Sequence, residues 1–596
     1  MSVLESLYNG KSIKQLNIKE LNTLCDELRQ EIVTTVSENG GHLSSNLGVV
    51  ELTVALHYVF DKDVDKFIFD VGHQSYAHKI LSGRFKEFNS LRQFGGISGF
   101  PDPSESECDA FISGHAGTSI SAGLGYCVSR DYLAQDYFVI AVVGDASFFN
   151  GVNLEAITSS LTKPKKFLLV LNDNGMSIGK NNNGFYKLVS KFTIKKSYSK
   201  FNSFLSRTIG NTCIGKFLKR LKNSIKRSLS RNATYDSLGL KYVGKFDGHN
   251  LKTLIKILKD IKDLESPTML HLSTLKGKGY EEAEKDSTKF HGVTKGISTA
   301  NHYFSSSVSD ILIKLKEKHP SIYAITAGMK EGVGLTAFEE KYPKSFIDVG
   351  IQEEYAVTLS AGMAISGTKP IVFIYSTFMQ RAYDQILHDV CMQNLPVVFC
   401  VDRAGFVGSD GKTHQGLFDI SYLSHIPNLK IFAPKDSLEF EKMLDYAISL
   451  NSPVAIRYPN GEGHEFDSTS TEICKFEVFG DIAKNVILAV GPRMLNLANT
   501  VKNSTDKGVC VVNARTVKPL DYEFLDKIFD KNVIVLEENV KTGGFGSSIL
   551  NYYSDKNLNA KVKIFAVDDI FVSHATVKKQ LELCNFSIEN VLKELK

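Results

Sequence analysis

The chain repeats one pattern: a short run of β-branched and other apolar residues, a turn rich in Gly, Asp or Asn, then a helical periodicity. The runs are YFVIAVVGD (137–145), KFLLVLNDN (166–174), KPIVFIYST (369–377), LPVVFCVDR (395–403), NVILAVG (485–491), GVCVVNART (508–516) and NVIVLEEN (532–539). Strands that are apolar throughout are buried on both faces. Their alternation with helices predicts an α/β fold with doubly wound, mainly parallel sheets. The series is long enough for three. Two polar breaks, KGISTANHYFSS (295–306) and GEGHEFDSTST (461–471), divide it into expected domains over 1–298, 302–470 and 474–596. No short-period repeat is present.

Composition adds exclusions. At 596 residues the chain exceeds one hydrophobic core. Its charges nearly cancel (70 − 66 = +4), so nothing global calls for a nucleic-acid or membrane partner. Nine cysteines are scattered without a CxxC pair, which points to a reducing compartment rather than a disulfide framework or structural zinc. The N-terminus MSVLESLYNGKSIKQL lacks the apolar core of a secretory signal. No apolar run approaches the roughly 20 residues of a membrane-spanning helix. A cytoplasmic location is expected. One segment departs from this balance: residues 180–231 carry fourteen Lys or Arg and no Asp or Glu. It reads as a mobile, solvated insertion (about 180–235) in the first domain, or as a basic lid that attracts anionic substrates.

The chemistry concentrates at strand ends. Gly144-Asp145 and, 27 residues on, Asn172-Asp173-Asn174 each follow a buried strand. In an open parallel sheet, ligands bind at the carboxyl ends of strands, so Asp145 and Asn174 are expected in one crevice. Carboxylate and amide oxygens are hard ligands suited to Mg2+, with diphosphate oxygens completing the shell. A helix expected to start near Asn153 would turn its positive end toward a phosphate. Taken alone, two turn-forming Asx pairs would look the same.

Longer stretches carry a resemblance. GD followed by NDN is similar to the thiamine-diphosphate and Mg2+ motif of the transketolase superfamily. GGHLSSNLGVVELTVALHYVF (40–60), DVGHQSYAHKILSGR (70–84), ISGFPDPSESECDAFISGHAGTSISAGLG (97–125), KYVGKFDGHNL (241–251), KGKGYEEAEKDSTKFHGV (276–293), YSTFMQRAYDQILHDV (375–390) and DRAGFVGSDGKTHQG (402–416) resemble the 1-deoxy-D-xylulose-5-phosphate synthase family. The likeness spans nearly the whole chain and is weakest in the basic segment and the last domain.

The resemblance implies a homodimeric transferase in isoprenoid-precursor, thiamine and pyridoxal biosynthesis. It would decarboxylate pyruvate on thiamine diphosphate and pass the two-carbon unit to D-glyceraldehyde 3-phosphate. It implies Mg2+ ligation by Asp145, Asn174 and the carbonyl of Met176. His73, Gly114-His115-Ala116, Ala146, Ser147, Asn174 and Tyr280 would contact the cofactor, and Phe378 would pack on its pyrimidine. Glu353 would meet the pyrimidine N1′, because a carboxylic acid there drives the 4′-amino group to its basic imino form. His42 and His291 would surround the reacting carbons. Tyr375, Arg381, Asp410 and His414 would line the acceptor path, and Arg403 would fork onto the acceptor phosphate.

Four positions depart from the family's pattern. GDGA reads Gly144-Asp145-Ala146-Ser147, and GHSS reads Gly114-His115-Ala116-Gly117. The Gln-His after the activating Glu reads Glu354-Tyr355, and RYPRG reads Arg457-Tyr458-Pro459-Asn460-Gly461. The last removes an arginine from the acceptor end. A transketolase-like enzyme with another donor or acceptor, or a silent cofactor-holding subunit, is the alternative.

Overall fold

The computed structural model describes residues 2–159, 164–175, 239–264, 266–295, 303–461, 463, 466–467 and 472–596. Met176 and the basic segment 180–231 lie outside the described residues. The chain forms two compact units: residues 1–89 with 100–297, and residues 90–99 with 298–596.

The first unit holds five strands: β1 (Lys66–Phe69), β2 (Val139–Gly144), β3 (Phe167–Asp173), β4 (Lys241–Asp247) and β5 (Thr268–Ser273). They are parallel throughout, in the order β1-β2-β3-β5-β4. β3 is buried along its whole length and β2 up to Gly144, as their unbroken apolar runs predict. Helix Ile18–Asn39 starts from an Asn17–Glu20 capping box. It buries Leu21, Leu24, Leu28, Ile32 and Val36, one face of a 3.6-residue repeat.

The second unit continues with β6 (Ile322–Thr326), β7 (Phe346–Asp348), β8 (Lys369–Tyr375), β9 (Val398–Asp402), β10 (Lys430–Phe432), β11 (Val454–Arg457), β12 (Glu477–Phe479), β13 (Asn485–Val490), β14 (Val509–Asn513), β15 (Thr516–Lys518), β16 (Asn532–Val540) and β17 (Lys561–Val567). These make two sheets, ordered β15-β10-β11-β9-β8-β6-β7 and β12-β14-β13-β16-β17. Each is parallel except for one antiparallel edge, β15 on β10 and β12 on β14. The run 508–516, read from sequence as one strand, is in fact split. β14 ends at Asn513, and β15 crosses to the edge of the other sheet, bonded through Arg515 O to Ala433 N at 2.8 Å.

A buried ionic cluster fixes the loop that runs beside the edge strand β1, where Asp109 bridges to Phe67. Asp109 takes both arms of Arg84 at 2.7 and 2.8 Å and accepts from Asp102 N at 2.8 Å. Lys79, fully buried, reaches Glu105 at 2.6 Å and Asp109 at 3.7 Å. Burial opposes ionisation of Asp109, but these cations outweigh it and hold the carboxyl far below its ordinary range. Asp109→Ala leaves buried cations without their counter-charge. It is expected to lower stability by about 3–5 kcal/mol, measured as the shift in denaturant midpoint times slope for the first unit's transition.

Candidate active site

In the first unit the ends of β1, β2 and β3 carry Asp70, Gly144-Asp145 and Asn172-Asp173-Asn174. The ladder pairs Gly144 with Asn172, so Asp145 and Asn174 leave neighbouring strands about one residue, or about 3.3 Å, apart in level. Two of the polar tips are committed to other strands. Asp173 accepts from Lys245 at 2.6 Å and His271 at 2.8 Å, and Asn172 joins Gln74 at 3.1 Å and Thr274 at 2.6 Å. Asp145 is buried at 2% exposure. Among the described residues no three His, Cys, Asp or Glu converge as a metal cage. One carboxylate with an amide oxygen is a donor set for an ion that takes its remaining ligands from a bound phosphate, as Mg2+ does.

Ala146 and Ser147 continue as the short helix Asp145–Phe148. Ala146 adopts no positive φ, so its Cβ brings no backbone strain. The next helix, Gly151–Thr158, begins two residues earlier than the sequence suggests, capped by Asn150; Asn153 is buried and donates to Ser147 O at 2.9 Å. The Gly114-His115-Ala116 turn is held by Asp70, which accepts from Gly117 N at 2.9 Å and Ser119 N at 3.0 Å. A Cβ at Gly117, where φ is +85°, would lie 2.1 Å from Asn150 Oδ1.

Three histidines from distant parts of the sequence meet beside this crevice. The ring centroids of His42, His73 and His291 lie 5.4, 5.5 and 5.3 Å apart pairwise. Asn46 donates to the carbonyls of His42 and His73 at 2.6 and 2.7 Å. Gly41 and Val293 exchange backbone hydrogen bonds at 2.8 and 2.9 Å, which pins His42 against His291. Burial, then Lys276 and the other two rings, push the His291 pKa well below its ordinary value. Tyr280 packs edge-on to Phe290, 5.8 Å between centroids.

Lys276 is a residue that the sequence did not single out. It follows β5, is 7% exposed, and burial lowers its pKa to about 8 against the opposing pull of Asp145. The available signal was the KGKGY turn. Gly277 (φ +78°) packs so close to the Ala283 backbone that a Cβ would sit 2.4 Å away.

In the second unit Glu353 opens the helix Glu353–Ile365, as its place after a short strand predicts. Asp348, at the end of β7, shapes the preceding turn by accepting from Gly328 N at 2.7 Å and Gly350 N at 2.9 Å. Glu353 is 2% exposed, and its Oε2 has no hydrogen-bond partner among the described residues. Burial raises its pKa to about 7; Arg381 pulls it down and Glu354 pushes it up. The extra charge at Glu354 therefore favours the protonated carboxyl.

Beyond β8, Phe378 stacks on Tyr375 at 5.8 Å and meets His414 edge-on at 5.6 Å. The Arg403 guanidinium lies 3.8 Å over the Tyr375 ring. Burial raises the Tyr375 pKa to about 12 and lowers that of His414 to about 4. Asp410 pairs with Arg92, a residue the sequence also did not single out, which donates to Ser409 at 3.2 Å as well. The Asn460 carbonyl accepts from Arg493, whose other arm bonds Glu538 at 2.7 Å. A cation thus stands near the departed arginine, already tied to a carboxylate.

Residues 4–274 match the family described as 1-deoxy-D-xylulose-5-phosphate synthase. Residues 303–464 match the transketolase pyrimidine-binding domain, and 483–591 the transketolase C-terminal domain. A 1-deoxy-D-xylulose-5-phosphate synthase of Clostridium tetani is 44% identical over all of this chain and 99% of its own. That of Carboxydothermus hydrogenoformans is 44% identical over 99% of this chain and 98% of its own. Among solved structures, a transketolase of Campylobacter jejuni covers 97% of this chain and 99% of its own at 16% identity, TM-score 0.43.

The Glu353 carboxyl gives a test in the protein without cofactor. Its folded pKa lies above the ordinary 4.5, so its contribution to stability is full below about pH 4.5 and is lost as pH rises through about 7. Glu353→Gln removes that dependence. Above pH 7 the variant is expected to be more stable than the parent by up to about 3 kcal/mol, the gap closing below pH 4.5, in unfolding midpoints measured across pH.

Proposed function

This chain belongs to the 1-deoxy-D-xylulose-5-phosphate synthase family, and on that premise we propose that it decarboxylates pyruvate and joins the two-carbon unit to D-glyceraldehyde 3-phosphate. The family's transketolase-type domains make it a thiamine-diphosphate-dependent transferase. The product would feed isoprenoid-precursor synthesis. The observation that carries the reading is Glu353, a desolvated carboxyl poised near neutrality with one oxygen unpartnered among the described residues.

Thiamine diphosphate, when bound, supplies a nucleophilic carbon and an electron sink that no side chain offers. Asp145, Asn174 and the carbonyl of Met176 would hold a Mg2+ ion against its diphosphate. The dipole-rich turns at Gly114–Ala116 and Ala146–Ser147, with His73 and Tyr280, would hold the phosphates and thiazole end. Glu353 would keep a proton at the pyrimidine N1′, where an apolar slot favours the neutral acid, and Phe378 would pack against that ring. His42 and His291 would stand beside the reacting carbons, His291 kept neutral by burial and so able to donate or accept a proton there. Lys276 would add positive charge on the same side.

At the acceptor end Arg403 would bind phosphate, its orientation set by stacking on Tyr375. Asp410, held by Arg92, and His414 would flank the aldehyde, with Tyr375 and Arg381 completing the wall. We extend the reading to the domain division 1–298, 302–470 and 474–596 and to a homodimer. No described helix is long and apolar enough to cross a membrane.

A second reading, an enzyme that takes pyruvate but prefers another aldehyde, is favoured by Asn460 in place of arginine and by Ala116. Purified protein with Mg2+ and thiamine diphosphate is expected to release carbon dioxide and form a five-carbon ketose phosphate from the two substrates; carbon dioxide without that product would favour the second reading, and neither would refute both. Glu353→Ala is expected to lower kcat by about 10²–10⁴-fold. Arg403→Ala is expected to raise the KM of the phosphorylated aldehyde at least about tenfold, leaving the KM of an unphosphorylated one nearly unchanged.

A further inference from the structure

Three buried polar atoms of the second unit have no hydrogen-bond partner among the described residues and come from one helical neighbourhood: Glu353 Oε2, Arg381 Nη1 and Gln385 Oε1. Buried polar groups are almost always paired, so each such atom asks for a ligand or a reason. Glu353 and Arg381 already have places in the reading above. Gln385 has none.

Gln385 opens the π-type helix Gln385–Cys391, a widened form frequent at functional sites. This helix joins β8 to β9, and Glu353–Ile365 joins β7 to β8. The three strands run parallel, so the two helices share one direction. Thr358 Oγ1 donates to Asp389 Oδ2 at 2.6 Å, which fixes their register. Stepping back five residues on one helix and four on the other brings Glu353 and Gln385 to the same end, level within about 2 Å at 1.5 Å of rise per residue. Gln385 lies four residues before Asp389, on the face turned to the Glu353 helix. Arg381 lies four residues earlier still, and its charge reaches Glu353.

We infer that Gln385 is a positioning residue for the cofactor's aminopyrimidine ring, its carboxamide oxygen offering an acceptor to the amino group that the ring carries. The inference rests on the thiamine-diphosphate reading of this site. It assigns Gln385 no proton transfer: an uncharged amide sets the ring's place and leaves the acid–base work to Glu353. A polar atom held unpartnered before binding also lowers the stability of the free protein, the expected mark of a residue kept for a ligand.

That mark separates the role from a structural one. Gln385→Leu and Gln385→Met replace the carboxamide with apolar groups of similar size. Calorimetric titration of the full chain with thiamine diphosphate and Mg2+ is expected to show Kd raised about tenfold in both. Without cofactor, both variants are expected to melt at the parent temperature or above it. Unchanged Kd in both variants, or an acceptor KM that rises while cofactor affinity holds, would overturn the inference. So would lower melting temperatures without cofactor, which mark a structural side chain. Failure of the parent protein itself to bind thiamine diphosphate would overturn the underlying reading instead.

Discussion

The carboxyl of Glu353 lies almost wholly out of water, and the site in the second unit is organised around that fact. Desolvation alone would keep it protonated; Arg381 opposes this and Glu354 reinforces it, leaving the group poised near neutrality. Asp348 secures the turn that delivers it, by way of two glycine N–H groups. A carboxyl whose pKa burial has lifted to about 7 is able both to hold and to release its proton near neutral pH. Its place is fixed by the helix start, so the protein need not reorganise to present it.

The first unit solves a different problem, that of gathering short loops from distant sequence around one crevice. Its devices are buried side chains bonded to backbone. Asp70 gathers Gly117 and Ser119, Asn46 ties the carbonyls of His42 and His73, and the Gly41–Val293 bridge brings in His291. The imidazoles inherit their positions from backbone that cannot drift. Burial keeps the His291 ring neutral, the form that can both donate and accept a proton.

Legibility in the sequence followed the range of the interaction. Strands β2, β3, β8, β9, β13 and β16 stand out as continuous apolar runs, and their polar tips name Asp145, Asn174 and the loop after Asp402. The start of the Glu353 helix is equally local. Lys276 and Arg92 were hidden because a lone cation in a loop looks like any solvated lysine or arginine until a distant carboxylate or burial gives it a role. Segment 90–99 belongs with the second unit, though its sequence neighbours on both sides belong with the first; no local pattern announces that. The end of the 508–516 run was misread for the same reason. Arg515 is buried against Glu439, 76 residues away, and that ion pair draws β15 onto the other sheet.

That crossing has a consequence for how the second unit can be taken apart. β15 supplies the outer hydrogen bonds of β10, so the last stretch of chain closes an edge that the preceding sheet cannot close for itself. Cut after the polar break at 461–471, the protein would present the row of amides and carbonyls on β10 to any passing strand, the geometry that nucleates intermolecular sheet growth. The terminal portion thus caps its neighbour's edge, and evolutionary shuffling of these two portions would be constrained to move them together.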